Sequence, residues 1–103
     1  MNTYCYFFAY ETPEQLLANA QHGWDDENCQ MVQVLATNEV EALSWGKEIA
    51  EAFYANLHKH PNHSWRSRGY ADGIDNSPLV RATDDATSDI PIVHVGEHPS
   101  WST

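Results

Sequence analysis

Residues 37–57 read Thr-Asn-Glu-Val-Glu-Ala-Leu-Ser-Trp-Gly-Lys-Glu-Ile-Ala-Glu-Ala-Phe-Tyr-Ala-Asn-Leu, and this stretch decides the fold. Thr37 or Asn38 can cap a helix by accepting from the N–H groups that its first turn leaves over. Glu39 and Glu41 complement the positive end of the helix dipole. No proline interrupts residues 39–57. Leu43, Gly46, Ala50, Phe53 and Leu57, with Ile49 beside them, recur near the 3.6-residue period. The pattern predicts a long helix over about residues 38–58 with one apolar stripe to bury. Gly46 on that stripe costs roughly 1 kcal/mol of helix propensity relative to Ala. Close approach to the sheet beneath a large aromatic would offset that loss. Trp45 lies at the stripe's edge. His58 and Lys59 suit a C-terminus, and Pro61 forbids continuation.

Upstream, Thr3–Tyr10, with Tyr4-Cys5-Tyr6-Phe7-Phe8-Ala9-Tyr10 as its core, is a strand by composition. Tyr4, Tyr6, Phe8 and Tyr10 share one face, and Cys5, Phe7 and Ala9 the other. The tyrosines either pack in the core or line a half-wet groove. Thr12-Pro13-Glu14-Gln15 opens a short helix over about residues 13–21, stopped by Gly23. Leu16, Leu17 and Ala20 are expected to face inward. Gln30–Ala36 reads as a second strand with Val32 and Val34 buried. Ser64–Ala71 reads as a third, with Arg66, Arg68 and Tyr70 on one face and Trp65 on the other. Asp72-Gly73 and Asp75-Asn76-Ser77-Pro78 carry turn chemistry, Leu79–Arg81 is at most a short strand, and a polar loop follows over 82–89. Ile90–Val95 is the last strand, and Pro91 argues for its edge. Trp101 would pin the tail.

These elements predict one α+β domain over residues 1–103. Its expected architecture is a mainly antiparallel sheet of about four to five strands, with the long and the short helix packed on it.

Composition bounds the function. Fifteen acids against five bases give a net charge of −10. Residues 1–46 hold Glu11, Glu14, Asp25, Asp26, Glu27, Glu39 and Glu41 without one Lys or Arg. That field repels nucleic acid and anionic membranes and attracts basic protein surfaces. It also keeps a small bacterial-type protein in solution. No apolar run approaches the ~20 residues of a membrane span, and no basic leader opens the chain. A cytoplasmic location is the default. Cys5 and Cys29, both in strands, make no disulfide framework and are expected as buried thiols.

Three constellations compete for a function. The acidic loop Trp24-Asp25-Asp26-Glu27-Asn28, with Glu39 and Glu41, is the candidate surface for a basic protein partner. The spacing of a calcium loop is absent from it. Immunity proteins and inhibitors that imitate nucleic-acid charge use the same physics. His58, His60 and His63 supply the imidazoles that Zn²⁺, Ni²⁺ and Cu²⁺ prefer, in a segment that is also the chain's basic spot with Lys59, Arg66 and Arg68. The alternative function is therefore a small-ligand or metal-binding protein, with enzymatic activity left open. Catalytic motifs are missing: no G-x-S-x-G, no H-E-x-x-H and no phosphate-binding glycine loop. His94 could pair with Asp72 or Asp75 only if the fold unites them. No cofactor is implied. A homodimer formed through the Tyr or Trp surface is the third reading.

Overall fold

A computed structural model describes residues 1–59, 64–75 and 90–100. The elements run β1 (Asn2–Tyr10), α1 (Pro13–His22), β2 (Asn28–Ala36), α2 (Glu39–His58), α3 (Trp65–Arg68), β3 (Asp72–Asp75) and β4 (Ile92–His94). The strands form one sheet in the order β3-β1-β2-β4. β1 pairs antiparallel with β2 and β3, while β4 joins β2 in parallel, so the sheet is mixed. The α+β class, the long helix and the short helix are as the sequence predicts.

The core lies between α2 and one face of the sheet. Tyr6, Phe8, Val32, Val34 and Ala36 of the strands meet Ala42, Ile49, Ala50 and Tyr54 of the helix, all at 0–1% exposure. Burial of each large side chain among them is worth about 1.5–3 kcal/mol. Tyr6 and Tyr10 are thus core residues, and Tyr4 packs against the core half-buried. Aromatic edges organise the packing: Phe8 meets Phe53 edge-on at 5.5 Å, and Tyr10 meets Phe53 at 4.9 Å. The buried stripe of α2 is centred on Ala42, Gly46, Ile49, Ala50 and Tyr54. Leu43, Phe53 and Leu57 flank it, half-buried. Tyr54 is an addition to the predicted stripe, because its hydroxyl reads as a surface group until a partner is found for it.

Asn38 caps α2, accepting from the Glu41 N–H at 2.8 Å. Glu41 reaches back to the Thr37 N–H at 3.2 Å, a reciprocal cap that uses both candidate residues. Thr12 caps α1 by accepting from the Gln15 N–H at 3.0 Å.

Four expectations change. Asp72-Gly73, which reads as a turn, lies in β3, where Gly73 pairs with Phe7 and Asp72 with Phe8 of β1. Residues 64–71 are not a strand: Trp65–Arg68 form one turn of helix. The Glu51 carboxylate of α2 accepts from the Ser64 hydroxyl and the Arg66 N–H, capping this turn from outside. Trp65 is buried by it and donates its Nε1–H to the Ala9 carbonyl at 2.8 Å. On α1, Leu17 is 61% exposed and Asn19 is the buried residue. Finally, Cys5 is buried but Cys29 is exposed. Cys5 pairs with Gln33 and Cys29 with Ala9, so the two lie four residues apart along the ladder, ~14 Å. Leu79–Arg81, the 82–89 loop and Trp101 lie outside the described residues.

Candidate functional site

The acidic loop is built by the end of α1. Gly23 adopts the left-handed conformation (φ 69°) and donates its N–H to the Asn19 carbonyl, which also accepts from the Trp24 N–H at 3.1 Å. The Asn19 side chain then fastens the loop: its Nδ2 donates to Glu11 Oε2 at 2.6 Å and to the Asp26 carbonyl at 2.9 Å. Gln15 donates to Asn19 Oδ1 at 2.8 Å and fixes the amide's orientation. With its backbone held in this way, the loop turns Trp24, Asp25, Asp26 and Glu27 outward, all exposed. Trp24 is 53% exposed and stacks on His22 at 4.3 Å. The result is an aromatic surface rimmed by carboxylates immediately before β2.

Glu39 and Glu41 are elsewhere. They follow the far end of β2, a nine-residue strand that separates the two acidic groups by ~27 Å. Glu41 is also engaged with Thr37 through both carboxylate oxygens. The fold therefore unites Trp24, Asp25, Asp26 and Glu27 and leaves Glu39 and Glu41 at the other end of the sheet.

Of the histidine constellation, His58 ends α2, while His60 and His63 lie outside the described residues. The His58 Nε2–H donates to the Glu11 carbonyl at 2.8 Å, and its ring stacks on Tyr54 at 4.2 Å. Among the described residues no group of three His, Cys, Asp or Glu side chains is placed to hold a metal. Around His58 is a cluster the sequence did not reveal. Tyr70 donates to Glu11 Oε1 at 2.9 Å, and the Tyr54 and Tyr70 hydroxyls stand 3.5 Å apart. Burial, together with the hydrogen bonds to Tyr54 and Glu11, pushes the Tyr70 hydroxyl well above its usual range. Each Glu11 oxygen accepts a hydrogen bond, one from Tyr70 and one from Asn19, so the carboxylate serves as a clasp between β1, α1 and Tyr70. Nothing local marks Glu11, Asn19, Tyr54 and Tyr70 as a group, since the partners are separated by up to 59 positions in sequence.

His94 does not meet Asp72, and Asp75 follows on the same strand as Asp72. β4 and β3 are opposite edges of the sheet, three strand spacings or ~14 Å apart. His94 instead pairs with Glu97, Nδ1 to Oε1 at 3.0 Å, and its N–H and ring hold the Glu97 carboxyl below the usual range. Asp72 accepts from the Tyr6 hydroxyl at 2.8 Å. Trp45 donates to the Glu97 carbonyl at 2.8 Å and fastens residues 97–98 to α2. Beside it, Ile49, Phe53, Leu57 and His98 border a half-open groove of about 640 Å³.

No described helix is long and apolar enough to cross a membrane. Comparison with protein-family models, curated proteins and solved structures returns no match to this chain.

Proposed function

We propose that the chain is a non-enzymatic interaction domain that binds a basic protein through the Trp24–Glu27 loop, in the manner of an immunity protein or inhibitor. The observation that carries this reading is the exposed Trp24 beside three exposed carboxylates on a backbone fastened by Asn19. A rigidly presented aromatic can anchor an interface while the surrounding acids steer a cationic partner. The first 46 residues add no Lys or Arg to weaken that field. Glu39 and Glu41, at the far end of β2, contribute to long-range attraction and not to the contact.

The test is retention of basic proteins from native lysate by the wild-type chain and by an Asp25→Asn, Asp26→Asn, Glu27→Gln variant. A basic protein retained at low salt by wild type, released at moderate salt and lost in the variant is expected. Equal retention by both proteins would sink the reading.

A second reading, a small apolar ligand, rests on the groove between α2 and His98. A thermal upshift with an aromatic ligand set that is lost in Phe53→Ser would favour it.

A further inference from the structure

The bonds that fasten the acidic loop do not end at Asn19. Its amide uses both Nδ2 hydrogens, one on Glu11 Oε2 at 2.6 Å and one on the Asp26 carbonyl at 2.9 Å. A carboxylate only accepts, so Glu11 obliges the amide to turn its NH2 group toward it, and the second hydrogen then falls to Asp26. Glu11 is itself oriented by the Tyr70 hydroxyl, which donates to Oε1 at 2.9 Å. Burial raises that hydroxyl above its usual range, which keeps the donated proton on it. Tyr70 stands 3.5 Å, hydroxyl to hydroxyl, from Tyr54, a wholly buried residue of α2. The Glu11 backbone is held as well, its carbonyl accepting from the His58 Nε2–H at 2.8 Å. A path of polar contacts thus runs from α2 to the loop through Tyr54, Tyr70, Glu11, Asn19 and Asp26.

The two ends of this path differ in freedom. Tyr70 follows the α3 turn, which Glu51 of α2 caps and whose Trp65 donates to the Ala9 carbonyl. On the other side of Tyr70, the Ala71 carbonyl accepts from the Ala9 N–H at 2.9 Å. Residue 70 is therefore held from α2 and from β1 at once, whereas residues 24–27 are exposed. We infer that Tyr70 and Glu11 are positioning residues for the Trp24–Glu27 surface, so that the C-terminal end of α2 governs how rigidly this surface is presented. This control belongs to the site of the preceding functional reading and rests on that reading for its consequence. Cutting a link frees the loop end, since the α2 end keeps its other ties. A loosened loop must then be ordered when a partner docks, and that ordering weakens binding without altering the charges that steer the partner.

The experiment measures backbone order parameters by amide nitrogen relaxation in the full chain, for wild type, Tyr70→Phe, Asn19→Ala and the variant carrying both. Wild type should be rigid at residues 25–27, with values of about 0.85, and Asn19→Ala should fall below about 0.6 there. Tyr70→Phe should lower the same residues while Val32 and Val34 of β2 keep their wild-type values. The double variant should match Asn19→Ala, because a path already cut at Asn19 has nothing to carry from Tyr70. Glu11→Ala should loosen the loop and Glu11→Gln should not, since the amide oxygen accepts from Asn19 while its NH2 group donates to the Tyr70 hydroxyl. A double variant looser than Asn19→Ala, loosening that spreads into β2, or equal loosening by Glu11→Gln and Glu11→Ala overturns the inference. So does a Tyr70→Phe loop as rigid as wild type, and this single variant decides the question should Asn19→Ala not fold. Binding is read separately, by fluorescence anisotropy with a fluorescein-labelled oligo-arginine peptide. Tyr70→Phe should weaken it about threefold, the scale of ordering one side chain at an interface, and leave its salt dependence that of wild type. A loosened loop with unchanged peptide affinity leaves the positioning standing and overturns the acidic-loop reading.

Discussion

The Tyr6 ring lies against the backbone of Gly46, so close that a Cβ at position 46 would stand 2.3 Å from it. The ring cannot swing away. It is fully buried, stacks on Phe8 at 5.8 Å, and its hydroxyl is tied to Asp72. A helix glycine that costs propensity is thereby explained by contact: it lets α2 settle on β1 at the centre of the core.

Gly46→Ala is therefore expected to destabilise the protein. Alanine recovers about 1 kcal/mol of helix propensity, but overpacking against an immobile ring costs typically about 1–3 kcal/mol. With the overpacking cost at the upper end of that range, urea unfolding should show a net loss of about 1–2 kcal/mol, and a variant as stable as wild type would contradict the contact.

Asn19 should matter more to α1 than its leucines. Asn19→Ala removes the bond to the Glu11 carboxylate and the one to the Asp26 carbonyl, a loss of about 1.5–3 kcal/mol for a charge-assisted anchor. Leu17→Ser alters an exposed side chain and should change stability by less than about 0.5 kcal/mol. Hydrogen exchange across residues 13–28 should quicken in the first variant and not in the second.

Alkaline pH should unfold the chain through its buried tyrosines. Burial raises the Tyr6, Tyr10 and Tyr70 hydroxyls above the ordinary value of 10.0, and Asp72 raises Tyr6 further. Below that value both folded and unfolded states keep the proton, and the stabilisation is fully present. Above it the unfolded chain ionises first, so stability falls as pH rises. Urea midpoints measured at rising pH above 10 should fall less steeply for Tyr6→Phe than for wild type; an identical slope would remove Tyr6 from this account.

The cysteines should differ in reactivity. Cys29 is exposed and Cys5 buried, so a thiol reagent should label one position rapidly in the native protein. Labelling of Cys5 should wait for denaturant, and mass spectrometry of peptides distinguishes the two.

Much of this fold is written in local rules. Caps at Thr12 and Asn38, alternation in β1 and β2, and the period of α2 are short-range patterns, each set by a few neighbouring residues, and each is met in the fold. Gly46 is legible as a close approach because its cost in a helix needs an offset nearby. Local rules fail where a distant group supplies the deciding bond. Residues 64–71 alternate like a strand, yet Glu51 caps Trp65–Arg68 into a helical turn. Leu16, Leu17 and Ala20 look like an inward stripe, yet the short helix is held by the amide of Asn19.

The sequence by itself determined a single apolar helix stripe to be buried on an aromatic strand, and an acidic first half, because periodicity and charge are properties of consecutive residues. Tertiary packing alone brought Glu11, Asn19, Tyr54 and Tyr70 into one cluster and set Glu51 against Ser64 and Arg66, because each of these bonds joins residues far apart in the chain.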